Sequence, residues 1–276
     1  MLANLDAVCE QVAAGAPKAK LYVAFNRLPH QVGKADLELR AQALDAAHAV
    51  RPGWDPSAWS VDQAARTLLI LALPAEDPDM YVKTLRLLYE TADVAAAVAL
   101  YQMLPLLAHP EQFLFQGTEG LRSNMTTVFD AVALRNPYPA EQFGENAFNQ
   151  MVLKAIFIDS PLHRIVGLDT RANAALAQML IDYAHERWAA NRTVTYELWR
   201  PVGPFAEGAA LADLERVLTH DDPIQQQAGA LALAASPDPD AQHVLARRSD
   251  LQLRLAHGDL TWDRLATSLH SSTSIL

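Results

Sequence analysis

The chain has 276 residues, 51% of them hydrophobic, and a formal charge of −10 at pH 7. That length supports a large buried core, and the acidity repels a phosphate backbone, which argues against nucleic acid as a partner. One cysteine, Cys9, leaves no disulfide framework and no thiolate zinc site, as suits a reducing compartment.

Residues 1–6 lack the positive region and apolar core of a signal peptide, and no apolar run attains the length of a membrane span. The expected location is the cytoplasm, with no membrane span. Abundant alanine and leucine favour helix over strand. Leu2, Leu5, Val8, Cys9 and Val12 form one helical stripe, which places Cys9 in the core. Pro17 starts a second helix with Leu21, Ala24, Phe25 and Leu28 on its apolar face and Pro29 as its stop. Asp36 is the expected cap of a third helix carrying Leu37, Leu44, Ala47 and Val50. Ser60 caps a fourth, whose buried side is read as Ala64, Leu68 and Leu71. Asp77-Pro78 is a cap-and-proline start for a helix bearing Tyr81, Leu85, Leu88 and Tyr89. Residues 93–107 read as one central helix kinked at Pro105, and residues 121–134 as another. Gly117 to Gly120 read as a break before that helix, with a weak anion-site signature over residues 117–124.

Residues 141–205 hold most of the unusual polar side chains. The helix expected over 141–158 is apolar nearly all round and therefore buried, leaving a polar line of Asn146, Asn149, Gln150 and Lys154. Two readings stand: these groups line a ligand cavity, or they form a wet strip bonded to neighbouring loops. The loop over 159–171 mixes His163, Arg164, Asp169 and Arg171 with apolar anchors; its arginines either clamp an anion or pair with the local aspartates. A helix over 173–191 carries Asp182 and His185 at Asp-x-x-His spacing, repeated at Asp45/His48 and Asp240/His243. Solvated helix faces explain that spacing better than a metal, because no matching pair of Glu-bearing helices accompanies it. No metal or other cofactor is expected. Trp199-Arg200 before two prolines makes a rigid aromatic and cationic corner. Walker, Gly-x-Ser-x-Gly and Gly-x-Gly-x-x-Gly signatures are absent.

Beyond this stretch, residues 206–248 read as a HEAT-type helical hairpin and residues 270–276 as a frayed tail. The expected architecture is one elongated all-α domain over 1–276. It consists of stacked helical hairpins, HEAT- or armadillo-like, or of an irregular bundle.

The run Asn149-Gln150-Met151-Val152-Leu153-Lys154-Ala155, the loop over 159–169, Tyr183-Ala184-His185-Glu186-Arg187-Trp188 and the closing segment over 197–205 resemble the EboA-domain family. That resemblance covers about sixty residues strongly. It implies a bacterial cytoplasmic protein from a gene cluster for secondary-metabolite traffic, whose other products look like a prenyltransferase, a metal-dependent hydrolase and sugar-type enzymes. It carries no catalytic residues across. The expected function is non-enzymatic, binding a small-molecule metabolite or an enzyme partner from that cluster. One alternative is an enzyme using His163 or His185 as acid/base, with Lys154 or Arg164 steering an anion. The other is a helical scaffold for protein–protein contact.

Overall fold

A computed structural model describes the backbone of residues 2–273 and the side chains of residues 5–268. The described chain is 72% helical, with 18 helices joined by short turns and no strand. The helices group into two compact units, Met1–Ala147 and Phe148–Leu276. No helix among the described residues is long and apolar enough to cross a membrane.

The first unit holds α1 (Leu2–Ala13), α2 (Lys18–Val32), α3 (Ala41–Val50), α4 (Val61–Leu71), α5 (Pro78–Thr91), α6 (Val94–Gln102), α7 (Leu114–Arg122), α8 (Thr126–Ala133) and α9 (Tyr138–Gln142). Several starts follow directly from side-chain caps. Asp77 accepts from Met80 N at 3.0 Å and Asp93 from Ala96 N at 2.8 Å, each satisfying an amide that the helix leaves orphaned. At Ser60 the backbone amide donates to Gln63 Oε1 at 2.8 Å, the return half of a capping box.

Pro29 does not stop α2; it is buried inside it, and the helix runs one turn further. A proline there removes the amide that Phe25 O would have received. Arg66 Nε takes that carbonyl instead at 3.1 Å, while its guanidinium lies 4.9 Å from the Phe25 ring and 3.3 Å from Asp62. Asp36 caps nothing: its backbone pairs with Ser60 in an isolated extended bridge, and α3 begins only at Ala41. In α4 the buried face is Ala65, Arg66, Leu69 and Ile70, so Leu68 and Leu71 lie exposed. Residues 93–107 split into α6 and a 3-10 turn, Leu104–Leu106, because Pro105 cannot continue the hydrogen-bond ladder. Gly117 and Gly120 lie inside α7 rather than before a helix. A Cβ on Gly120 would stand 2.7 Å from Val132 and 2.8 Å from the Tyr101 ring, so the glycine serves close packing and the anion signature there falls.

Helix α10 (Glu145–Phe157) carries the boundary between the units. The second unit continues with α11 (Leu168–Arg171), α12 (Ala174–Ala189), α13 (Trp199–Val202), α14 (Ala209–Leu218), α15 (Pro223–Ala235), α16 (Pro239–Leu245), α17 (Ser249–Ala256) and α18 (Trp262–Thr273). Its hub is α15, which packs against α13, α14, α16, α17 and α18. Residues 228–233 of α15 are buried without a break, which requires apolar side chains all round. Small residues permit the approach. A Cβ on Gly229 would lie 2.7 Å from Leu218 N, and one on Gly203 would lie 2.8 Å from Ala232 Cα. Helices α17 and α18 have no counterpart in the sequence reading. Helix α18 runs to Thr273, within the stretch 270–276 expected to fray, and residues 274–276 lie outside the described ones.

Candidate functional site

The polar side chains of the central stretch are mostly engaged as fastenings within the second unit. Glu197, 8% exposed, accepts from Leu162 N at 3.0 Å and from His163 N at 2.8 Å, and meets His163 Nδ1 at 2.7 Å. One buried carboxylate thus holds both the backbone and the ring of the 3-10 turn Leu162–Arg164, a charge-assisted arrangement that offsets its desolvation. Arg200 makes a bidentate pair with Asp169, 2.7 Å at both oxygens, and reaches Asp263 at 3.5 Å. Asn149 and Asn173 exchange amide bonds at 3.1 and 2.9 Å. Asn173 also caps α12 through Leu176 N at 2.8 Å.

An aromatic stack closes the other end of α12. Trp199 is fully buried and stacks on Trp188 with ring centroids 5.6 Å apart. The Arg216 guanidinium lies 4.1 Å from the Trp188 ring, and His185 packs beside that ring at 5.8 Å. His185 Nε2 meets the Asp213 carboxylate at 2.8 Å.

Of the residues singled out from sequence, Asn149, His163, Asp169, His185, Trp199 and Arg200 belong to these fastenings. Asn146 and Gln150 face solvent while Asn149 is buried, so the expected polar line along α10 is only partly enclosed. The helix keeps its apolar face on Phe148, Met151, Val152, Ala155 and Ile156, leaving the other side open enough that Phe157 is 73% exposed. Lys154 is half-buried, and burial lowers its pKa. Arg164 is half-buried, and Arg171 sits 4.8 Å over the Phe148 ring. Asp182 is exposed and accepts from Gln178 Nε2 at 2.8 Å, so it and His185 have different partners. Among the described residues, no three His, Cys, Asp or Glu side chains are grouped to hold a metal.

Next to the aromatic stack lies a recess of about 350 Å³. Its walls are Trp188 at the end of α12, the following turn from Asn191 to Val194, Arg216 and Val217 of α14, and His220, Asp222 and Gln225 at the start of α15. Only Trp188 belongs to the motifs noted in sequence. Asn191, Arg192 and Arg216 stand in ordinary helix and turn contexts, and only folding brings them together. The first unit has a separate groove of about 390 Å³, almost wholly apolar, whose walls include Val50, Trp54, Trp59, Leu68 and Leu71.

A family model described as "Metabolite traffic protein EboA" matches residues 1–203. No curated protein and no solved structure matches the chain. The chain belongs to the EboA family, and the match extends well to the N-terminal side of the central stretch. Arg216, His220, Asp222 and Gln225 of the recess lie beyond the matched residues.

Proposed function

Taking EboA membership as the premise, we propose that this chain handles a secondary metabolite by binding it, without transforming it, in the bacterial cytoplasm. The observation that carries this reading is the recess beside Trp188, which the two histidines singled out in the sequence do not line. His163 is held against Glu197 and His185 against Asp213, and neither lines the recess beside Trp188. A general base has to reach the proton it removes, and neither ring is placed at that recess. The recess, by contrast, has the volume and mixed lining of a small-molecule site. The α14–α15 hairpin forms one of its walls.

Native mass spectrometry of protein purified from its own cells tests the reading. The expected spectrum contains a retained small molecule that organic solvent removes. Turnover of a small anionic metabolite that disappears in both His163→Gln and His185→Gln would replace binding with catalysis. The scaffold reading draws its support from the exposed apolar groove of the first unit; a retained protein subunit with no small molecule would favour it.

A further inference from the structure

The recess beside Trp188 has a charge pattern unlike the rest of the chain. Its lining carries two guanidinium groups, Arg192 and Arg216, against one carboxylate, Asp222, in a molecule whose formal charge is −10. Most other arginines of the second unit are spoken for. Arg200 pairs with Asp169, Arg247 with Glu215, Arg248 with Asp250 and Arg264 with Asp259. Arg192 has no side-chain hydrogen bond or ion pair among the described residues. Arg216 has no carboxylate partner among them either; it rests on the Trp188 ring, which orients the guanidinium without using its N–H donors. The carboxylate present is partly occupied, since Asp222 Oδ1 accepts from Ile224 N at 2.9 Å to cap α15.

The neutral donors point the same way. His220 Nδ1 accepts from Asp222 N at 2.9 Å, so the neutral ring carries its proton on Nε2, leaving that N–H to donate. Asn191, in the left-handed region at φ 52°, adds an amide whose side chain is uncommitted among the described residues. Gln225 already spends its amide on Val194 O at 2.7 Å, which stiffens the wall. An unpaired guanidinium lining the same recess as a second one held on an indole supplies the planar N–H donors that recognise an oxyanion.

We propose that this recess is an oxyanion-binding site that takes the carboxylate or phosphate group of a small metabolite, with Arg192 and Arg216 as its principal ligands. The proposal rests on the binding reading above and names the ligand class of that same protein. Ligand-observed NMR and calorimetry at constant ionic strength test it on the full chain. Inorganic pyrophosphate and succinate serve as separate probes, so that the phosphate and carboxylate sources are told apart. At least one probe should bind, and Arg192→Gln should weaken it about tenfold, the loss expected for one charge-assisted contact. Arg216→Gln should do likewise. Arg192→Gln makes the decisive comparison, because that side chain braces nothing and its loss leaves the fold intact. Arg247→Gln, which removes a surface guanidinium outside the recess, should leave the affinity unchanged.

Failure of both probes to bind, or equal weakening by Arg247→Gln, would overturn the assignment. A neutral metabolite retained by protein that binds neither probe would sink the oxyanion site and leave the binding reading standing. Loss of both would remove the two together.

Discussion

Glu197 shows how much one side chain can organise. Its carboxylate serves two backbone amides and an imidazole, and it is buried, so no water replaces it if it is changed. Glu197→Gln keeps one oxygen but turns an NH2 group toward donors that need an acceptor. The expected cost is about 1–3 kcal/mol, read as a lower urea midpoint with unchanged slope. An unchanged midpoint would mean that the turn Leu162–Arg164 holds itself. The neighbouring Tyr196 phenol is lifted to about 12, first by burial and then by the Glu197 carboxylate, against a lowering from Arg200. A phenol raised in the folded state favours folding while it stays protonated. Its contribution is complete below pH about 10, the unfolded value, and is lost as pH rises through about 12. The phenolate absorbance titration of wild type minus Tyr196→Phe should therefore show its midpoint near pH 12. A difference midpoint near the ordinary tyrosine value would show that the site is wetter than its surroundings imply.

At the scale of elements, the α14–α15 hairpin depends on a missing side chain. Gly229 lets the two helices approach until the space for a Cβ is taken by Leu218 backbone, which cannot turn aside as a side-chain tip can. Gly229→Ala should cost about 1–3 kcal/mol through overpacking, even though alanine is the better helix former. Gly144→Ala, where nothing lies within 4 Å, is the matched control and should be neutral or slightly stabilising. Equal midpoints for the two variants in thermal unfolding would show that α14 and α15 have room to separate. The recess shares this dependence, since Arg216 and Val217 come from α14 and His220, Asp222 and Gln225 from the turn and α15.

For the whole molecule, helix is the sole regular element of the described residues, and far-UV circular dichroism should report a helix fraction near 72% without a sheet component. A resolvable strand signal would reject the reading of proline and aspartate breaks as helix boundaries. The division into two compact units falls within α10, between Ala147 and Phe148, and so is unmarked by any proline- or glycine-rich linker. A continuous helix conceals such a boundary from a reading of linkers, because the chain contacts that define it are long-range.

Local chemistry alone determined much of this protein. The all-α class follows from composition and 3.6-residue periodicity; the starts at Asp77, Asp93 and Asn173 follow from capping side chains; and the family follows from motifs over 149–205. Each of these depends on residues within a turn or two of one another. The tertiary structure decided what neighbours along the chain cannot encode. It made Pro29 tolerable by supplying Arg66 to a carbonyl left free, rotated α4 so that Leu68 faces out, and set glycines where helices touch. It also engaged His163, Asp169, His185 and Arg200 in side-chain hydrogen bonds whose partners lie 28 or more residues away. Arg192 and Arg216, unremarkable in sequence, were left facing one recess without carboxylate partners. Whether a charged side chain is a fastening or a free ligand depends on which opposite charge reaches it, and that is set by packing between distant segments.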